Sequence, residues 1–263
     1  MNQESQESAE PEGSDASTAA SDSTRLDLQD DLQDEVQDEV QLVDKGVVKV
    51  CGFTRLADIE AAADAGVNLV GLNFVPSSSR CVDTTLAKVL AARAQQGELK
   101  VVGLFRNPTD SEICSALDFV PMDYVQLHGA ELPEITAACE GKPVIKALSW
   151  TGRAEEQKLA TEWQSVGSQL AAFLVDAYAP VEGGGTGRLA RWDLLHPKPK
   201  PLDGIPLWLA GGLNPSNVAR AIDQTRCVGV DTASGVEEGP GSKSASLMRD
   251  FCRESRRQFD ALR

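Results

Sequence analysis

The stretch VKVCGFTRLADIEAAADAGVNLVGLNF (48–74) opens on a short apolar run, passes through a helix-like segment and closes on a second apolar run. This is one strand–helix–strand unit, and its pattern continues down the chain. VVKVC (47–51), NLVGLNF (68–74), LKVVGLF (99–105), DYVQL (123–127), PVIKAL (143–148), AAFLVDA (171–177), PLWLA (206–210) and CVGVD (227–231) alternate with longer segments that carry helix-start signals. Asn214-Pro215 places an N-cap residue before a proline at the first helical position. Thr109, with Glu112 three residues on, forms a capping-box pattern. Eight such units within residues 47–262 call for a parallel sheet covered by helices. The count of eight, with near-continuous runs rich in Val and Leu, selects a closed (β/α)8 barrel, the TIM barrel. An open doubly wound sheet is the alternative, because periodicity does not report closure.

The charge is concentrated at one end. The chain of 263 residues carries 40 Asp+Glu against 25 Lys+Arg, a formal net charge of −15. Residues 1–45 hold 14 of those acidic groups against Arg25 and Lys45, a net of −12, so the rest of the chain carries only −3. Residues 1–24 have no large apolar residue after Met1 and too little apolar surface to fold. Residues 26–43 put Leu28, Leu32, Val36 and Val40 on one helical stripe, but the acidic groups on neighbouring turns repel one another. The expected organisation is an acidic, disordered leader at 1–45 followed by a barrel domain at 46–263. Such acidity disfavours a nucleic-acid or anionic-membrane partner. No run approaches the roughly 18 apolar residues of a membrane span, and the first residues show no secretory signal. The six cysteines, Cys51, Cys81, Cys114, Cys139, Cys227 and Cys252, form no CxxC pair. Reduced thiols in a cytoplasm are expected.

The barrel reading turns position into a filter, because the chemistry of such barrels sits at the C-terminal ends of the strands and on the loops beyond. Cys51, Asn73, Arg106, His128, Lys146, Asp176, Gly211-Gly212 and Asp231 stand at those ends. The seventh strand runs into Ala210-Gly211-Gly212 and the eighth into DTASGVEEGPG (231–241). Loops after strands seven and eight commonly cradle a phosphate through main-chain amides. Gly211, Gly212, Ser234 and Gly235 are therefore candidate phosphate ligands, against the plainer reading that the glycines only make tight turns.

Cys51 and Asp176 end the first and sixth strands, across the mouth of a closed ring. A substrate held between them can lose a proton to one and gain a proton from the other, as an isomerase requires. Cys51 as base needs its thiol lowered from the free value of about 8.5. Each residue also has a structural reading, the cysteine as apolar filler and the aspartate as a cap or ion-pair partner. Arg80, in the loop after the second strand, carries a guanidinium able to grip a carboxylate by two parallel hydrogen bonds. His128 has no zinc-ligand spacing to His196, and the sequence holds no dinucleotide, Walker or GxSxG motif. No cofactor and no metal are expected.

Taken together, VKVCGFTRLADIEAAADAGVNLVGLNF (48–74), VVGLFRNP (101–108), DYVQLHGAE (123–131), VIKAL (144–148), FLVDAYAPVEGGGTG (173–187), LWLAGGLNP (207–215) and VGVDTASGVEEGPGSKS (228–244) resemble the phosphoribosylanthranilate isomerase family over residues 47–262. The resemblance implies an isomerase of tryptophan biosynthesis. Its reaction is the Amadori rearrangement of N-(5-phosphoribosyl)anthranilate to 1-(2-carboxyphenylamino)-1-deoxyribulose 5-phosphate. It implies Cys51 as general base, Asp176 as general acid, Arg80 on the anthranilate carboxylate, and Gly211, Gly212, Ser234 and Gly235 on the phosphate. The partner implied is a small phosphosugar; oligomeric state is left open.

The chain departs from the family pattern at Ser79, where proline is common, at Thr232-Ala233 in place of Val-Ser, and at Arg191 in place of an aspartate. Another phosphosugar isomerase of the same barrel class would use paired aspartates, which Cys51 argues against. An idle ligand-binding barrel, or a protein that works through its acidic leader, are the readings from other classes.

Overall fold

In the computed structural model, residues 46–176 and 192–263 are described. The acidic leader, the GGGTG segment (183–187) and Arg191 lie outside the described residues.

Eight parallel strands close into a ring: β1 (Val47–Cys51), β2 (Leu69–Asn73), β3 (Lys100–Phe105), β4 (Tyr124–Leu127), β5 (Val144–Ser149), β6 (Leu170–Asp176), β7 (Leu207–Ala210) and β8 (Gly229–Thr232). β1 pairs with both β2 and β8, with Lys49 level with Leu69 on one side and with Asp231 on the other. The barrel alternative is therefore the one realised. Side chains alternate across the sheet. Val47, Leu69, Val102, Ile145, Leu174 and Trp208 pack together inside the ring, while Val48, Val50, Val70 and Leu72 join a second cluster under the helices.

The connecting helices are α1 (Leu56–Ala65), α2 (Thr84–Gln96), α3 (Asp110–Phe119), α4 (Ala154–Trp163), α5 (Val218–Thr225) and α6 (Ala245–Ala261). Thr109 caps α3 with the complete capping box: its hydroxyl accepts from the Glu112 N–H while the Glu112 carboxylate accepts from the Thr109 N–H. Asn214 does not cap the following helix, whose N-cap position is Asn217 without a side-chain bond; instead the Asn214 side-chain oxygen accepts from the Ser216 N–H and its carbonyl from the Val218 N–H. Pro215–Asn217 forms only a turn, and α5 proper begins at Val218.

The strict alternation fails after β4, where a 3-10 helix (Pro133–Cys139) replaces an α-helix and ends on Glu140 in the left-handed region. Between Trp192 and β7 the chain makes only short 3-10 turns, Trp192–Leu194 and Lys200–Leu202. Among the described residues no helix is long and apolar enough to cross a membrane.

Candidate active site

Cys51, Arg80, Asp176, Gly211, Gly212, Ser234 and Gly235 line one cavity of about 580 Å³ at the C-terminal mouth of the barrel. That volume lies in the ordinary range of small-molecule sites. Asn73, Arg106, Gln126, His128, Asp231 and Thr232 share the wall. Lys146 does not. It faces outward from β5, where its ammonium lies 2.5 Å from the Glu131 carboxylate and over the Trp163 ring.

Cys51 is the last residue of β1, and Lys49, two residues back on the same face, is fully buried beneath it. The Lys49 ammonium donates to Asp231 Oδ1 at 3.0 Å, across the β1–β8 pairing. Burial alone lowers Lys49, but Asp231 and Cys51 outweigh it and hold the ammonium charged. The thiol behaves differently from the expectation. Burial pushes Cys51 above its ordinary value, Lys49 pulls it back, Asp231 reinforces burial and Lys243 opposes it. The sulfur is therefore held as a thiol, because desolvation of the anion exceeds the pull of two ammonium groups.

Arg80 is carried on a loop that Ser78 pins in place. The Ser78 hydroxyl accepts from Asn73 Nδ2 at 3.0 Å and from the Arg80 N–H at 3.1 Å, while Asn73 Oδ1 accepts from the Val75 N–H. These bonds order the turn that carries Ser79 and Arg80. Gly52, at φ +81°, follows Cys51, and a Cβ there would overlap the Arg80 side chain.

The guanidinium already has a carboxylate partner, Glu237, to which Nε donates at 2.8 Å and Nη2 at 2.5 Å. Glu237 lies in the short strand β9 (Glu237–Gly239), which pairs with β10 (Ser242–Lys243). Lys243 donates to the Glu237 carboxylate at 2.7 Å and to the carbonyls of Cys51 and Ala233. Burial alone raises Glu237, but the hydrogen bonds from Arg80 and Lys243 hold it below the ordinary carboxylate range. One ion-pair network thus ties the β2 loop to the strand end that bears Cys51. Glu237 uses two of the five N–H groups that a guanidinium carries, so the remainder can meet a second carboxylate.

At the far wall the β7 and β8 loops touch. The buried Thr232 hydroxyl donates to the Leu213 carbonyl at 2.7 Å, and Gly235 packs so closely against Leu213 that a Cβ would overlap that carbonyl. Thr232 thereby ties the two glycine loops together. Gly211 and Gly212 take φ of +91° and +68°, and Asn217 Nδ2 donates to the Gly212 carbonyl at 3.0 Å. A single 3-10 turn, Ser234–Val236, follows β8.

Asp176 ends β6 level with Ser149 of β5 and Ala210 of β7. Burial lowers His128, and the nearby Asp176 and Asp231 carboxylates counter this only in part, so the imidazole is neutral near pH 7. Among the described residues no three His, Cys, Asp or Glu side chains gather as metal ligands.

Lys49, Asp231, Glu237 and Lys243 are among the site groups that sequence reasoning left without a role. Two carried a signal: a lysine inside VVKVC and an aspartate ending CVGVD are charged residues in apolar runs, which burial obliges to pair. Nothing in the sequence distinguished Glu237 from its exposed neighbour Glu238, because the alternation that separates them belongs to a three-residue strand.

A family model described as N-(5'phosphoribosyl)anthranilate (PRA) isomerase matches residues 48–254. The N-(5'-phosphoribosyl)anthranilate isomerase of Myxococcus xanthus (strain DK1622) is 44% identical over 211 residues, covering 80% of this chain and 95% of that relative. The enzyme of the same name from Paracoccus denitrificans (strain Pd 1222) is 43% identical over 213 residues, covering 78% and 94%. Among solved structures, phosphoribosyl anthranilate isomerase from Thermotoga maritima superposes with a TM-score of 0.69 at 31% identity, over 80% of this chain and 98% of that one. A phosphoribosyl anthranilate isomerase in complex with reduced 1-(o-carboxyphenylamino)-1-deoxyribulose 5-phosphate superposes with a TM-score of 0.67 at 30% identity, covering 80% and 97%.

Proposed function

The chain belongs to the N-(5'-phosphoribosyl)anthranilate isomerase family, and from that premise we propose that Cys51 and Asp176 are the proton-transfer pair of its reaction. The enzyme is an aldose–ketose isomerase of tryptophan biosynthesis. It rearranges N-(5-phosphoribosyl)anthranilate to 1-(2-carboxyphenylamino)-1-deoxyribulose 5-phosphate. The observation that carries the assignment is the shared cavity: a thiol on β1 and a carboxyl on β6, with a guanidinium and two glycine loops placed to receive two anions.

The Asp176 carboxyl donates its proton to the ribose ring oxygen. The bond from that oxygen to C1 breaks, and the anthranilate nitrogen takes up the positive charge as an iminium. Cys51 as thiolate removes the proton from C2, leaving a neutral enolamine. The sulfur returns its proton to C1 while the C2 hydroxyl gives its proton to the Asp176 carboxylate, which yields the ketone and restores both groups. Burial opposes the thiolate. Lys49 and Lys243 offset part of that cost, so the reacting form is the fraction whose thiol has released its proton to solvent, and the iminium adds positive charge beside the sulfur at the step that needs the anion. Arg80 orients the anthranilate carboxylate through its N–H groups not used by Glu237. Main-chain amides of Gly211, Gly212, Ser234 and Gly235 receive the phosphate.

The barrel at 46–263 carries the activity, and residues 1–45 are a separate leader that takes no part in catalysis. The site of action is the cytoplasm, in keeping with scattered, unpaired cysteines. The test is to generate N-(5-phosphoribosyl)anthranilate in situ and follow its isomerisation. Wild type should turn over, and Cys51→Ser and Asp176→Asn should each lower kcat by about two or more powers of ten. Near-normal turnover by the Cys51→Ser variant would exclude the assigned base.

A further inference from the structure

Gln126 sits in the middle of β4, level with Leu104 of β3 and Ile145 of β5, and its side chain is fully buried. Neither Nε2 nor Oε1 has a hydrogen-bond partner in the described residues, yet the residue lines the cavity. An amide left unpaired in a protein interior is a liability to folding. Two buried indoles, Trp192 and Trp208, also lack partners, but neither borders the cavity and each offers only a donor. The other buried polar groups near the floor are committed: Lys49 to Asp231, and Lys243 to Glu237 and two carbonyls.

We propose that Gln126 is a substrate-binding residue whose amide reads a hydroxyl of the sugar held between the substrate's two anionic ends. The inference rests on the substrate and orientation proposed above. A primary amide brings a donor and an acceptor and no charge, so it is matched to a neutral group that both donates and accepts. The carboxylate and the phosphate are met elsewhere, by Arg80 and by the glycine loops. What remains between them is the sugar, whose hydroxyls have that pattern of one donor and two lone pairs. A site built to hydrogen-bond a hydroxyl also rejects analogues that lack it, because the buried amide is then stranded.

This assignment predicts opposite signs for stability and binding, which a merely structural glutamine would not give. Gln126→Met keeps length and volume but removes both polar atoms, and Gln126→Leu serves as a second variant should methionine repack the floor. Each variant is compared with wild type by thermal unfolding without ligand, by kcat and KM on substrate made in situ, and by affinity for two probes. The probes are reduced 1-(o-carboxyphenylamino)-1-deoxyribulose 5-phosphate and inorganic phosphate.

The expected result is an unchanged or raised Tm, analogue affinity and kcat/KM each lowered about 10- to 100-fold, and unchanged affinity for phosphate. A lowered Tm with unchanged analogue affinity would overturn the proposal, as would wild-type kcat/KM in both variants. A wild type without turnover overturns the functional reading instead. Full wild-type turnover beside unaffected variants removes only this contact.

Discussion

Gly235→Ala probes the contact between the two loops assigned to the phosphate. A Cβ at this position would lie 2.9 Å from the Leu213 carbonyl carbon, closer still to its oxygen, and 2.8 Å from Thr232 Oγ1. Ordinary contacts between such atoms begin near 3.5 Å, and the atoms in the way are backbone and a buried hydroxyl already bonded to that carbonyl. The β8 loop must therefore move away from the β7 loop by more than ~1 Å. A displacement of that size in a positioning group costs about 100-fold in rate. Because the group lies at the end of the substrate remote from the chemistry, the loss should appear first in KM and in weaker inhibition by inorganic phosphate, with a smaller fall in kcat. Overpacking of this kind also costs about 1–3 kcal/mol, which for a domain of this size lowers Tm by roughly 2–12 °C. Steady-state kinetics, phosphate inhibition and a thermal melt read all three. A lowered Tm with unchanged KM and phosphate inhibition would show that the phosphate binds elsewhere. No change in any of them would show that the loops do not pack as described.

Replacing Lys49 by Met strands the Asp231 carboxylate in the barrel and should destabilise the fold by about 3–5 kcal/mol in denaturant titration. The same variant should slow alkylation of Cys51 at neutral pH, followed by mass spectrometry of its peptide, since the ammonium that lowers the thiol most is lost. Glu131 is buried against Lys146 and accepts from the backbone N–H groups of Asn107 and Gly129. Burial alone raises its carboxyl, but these partners hold it below the ordinary range. Its contribution is complete above the unfolded value of about 4.3 and is lost as pH falls below that toward the lowered folded value. Glu131→Gln should accordingly flatten the acid limb of the stability–pH curve and leave the neutral region parallel to wild type. Deleting residues 1–45 should leave kcat, KM and Tm within error of the full chain; loss of activity on deletion would assign the leader a catalytic role.

Eight apolar runs marked all eight strands to within two residues, because a parallel strand covered on both faces has no polar side to blur the pattern. The helices were less legible. The segment after β4 has a proline at its first helical position and a left-handed Glu140 at its end, and it closes as a 3-10 helix instead of an α-helix. The seven proposed site residues were accessible to sequence reasoning because barrel geometry assigns strand ends to the mouth and the motifs selected among them. What stayed hidden depends on tertiary pairing. Lys49 meets Asp231 only once β1 closes on β8, and Arg80 meets Glu237 across 157 positions of chain. The charged surroundings of Cys51 were hidden for the same reason, since burial and the Lys49, Asp231 and Lys243 groups that act on its thiol come together only in the closed barrel.

The most direct measurement is a crystal structure with reduced 1-(o-carboxyphenylamino)-1-deoxyribulose 5-phosphate bound. The account predicts phosphate on the amides of Gly211, Gly212, Ser234 and Gly235, carboxylate on Arg80, and Cys51 Sγ within about 3.5 Å of the sugar carbon C2, with Asp176 on the opposite side of the chain of carbons. A ligand bound with its phosphate at Arg80, or with C2 out of reach of the sulfur, would contradict it.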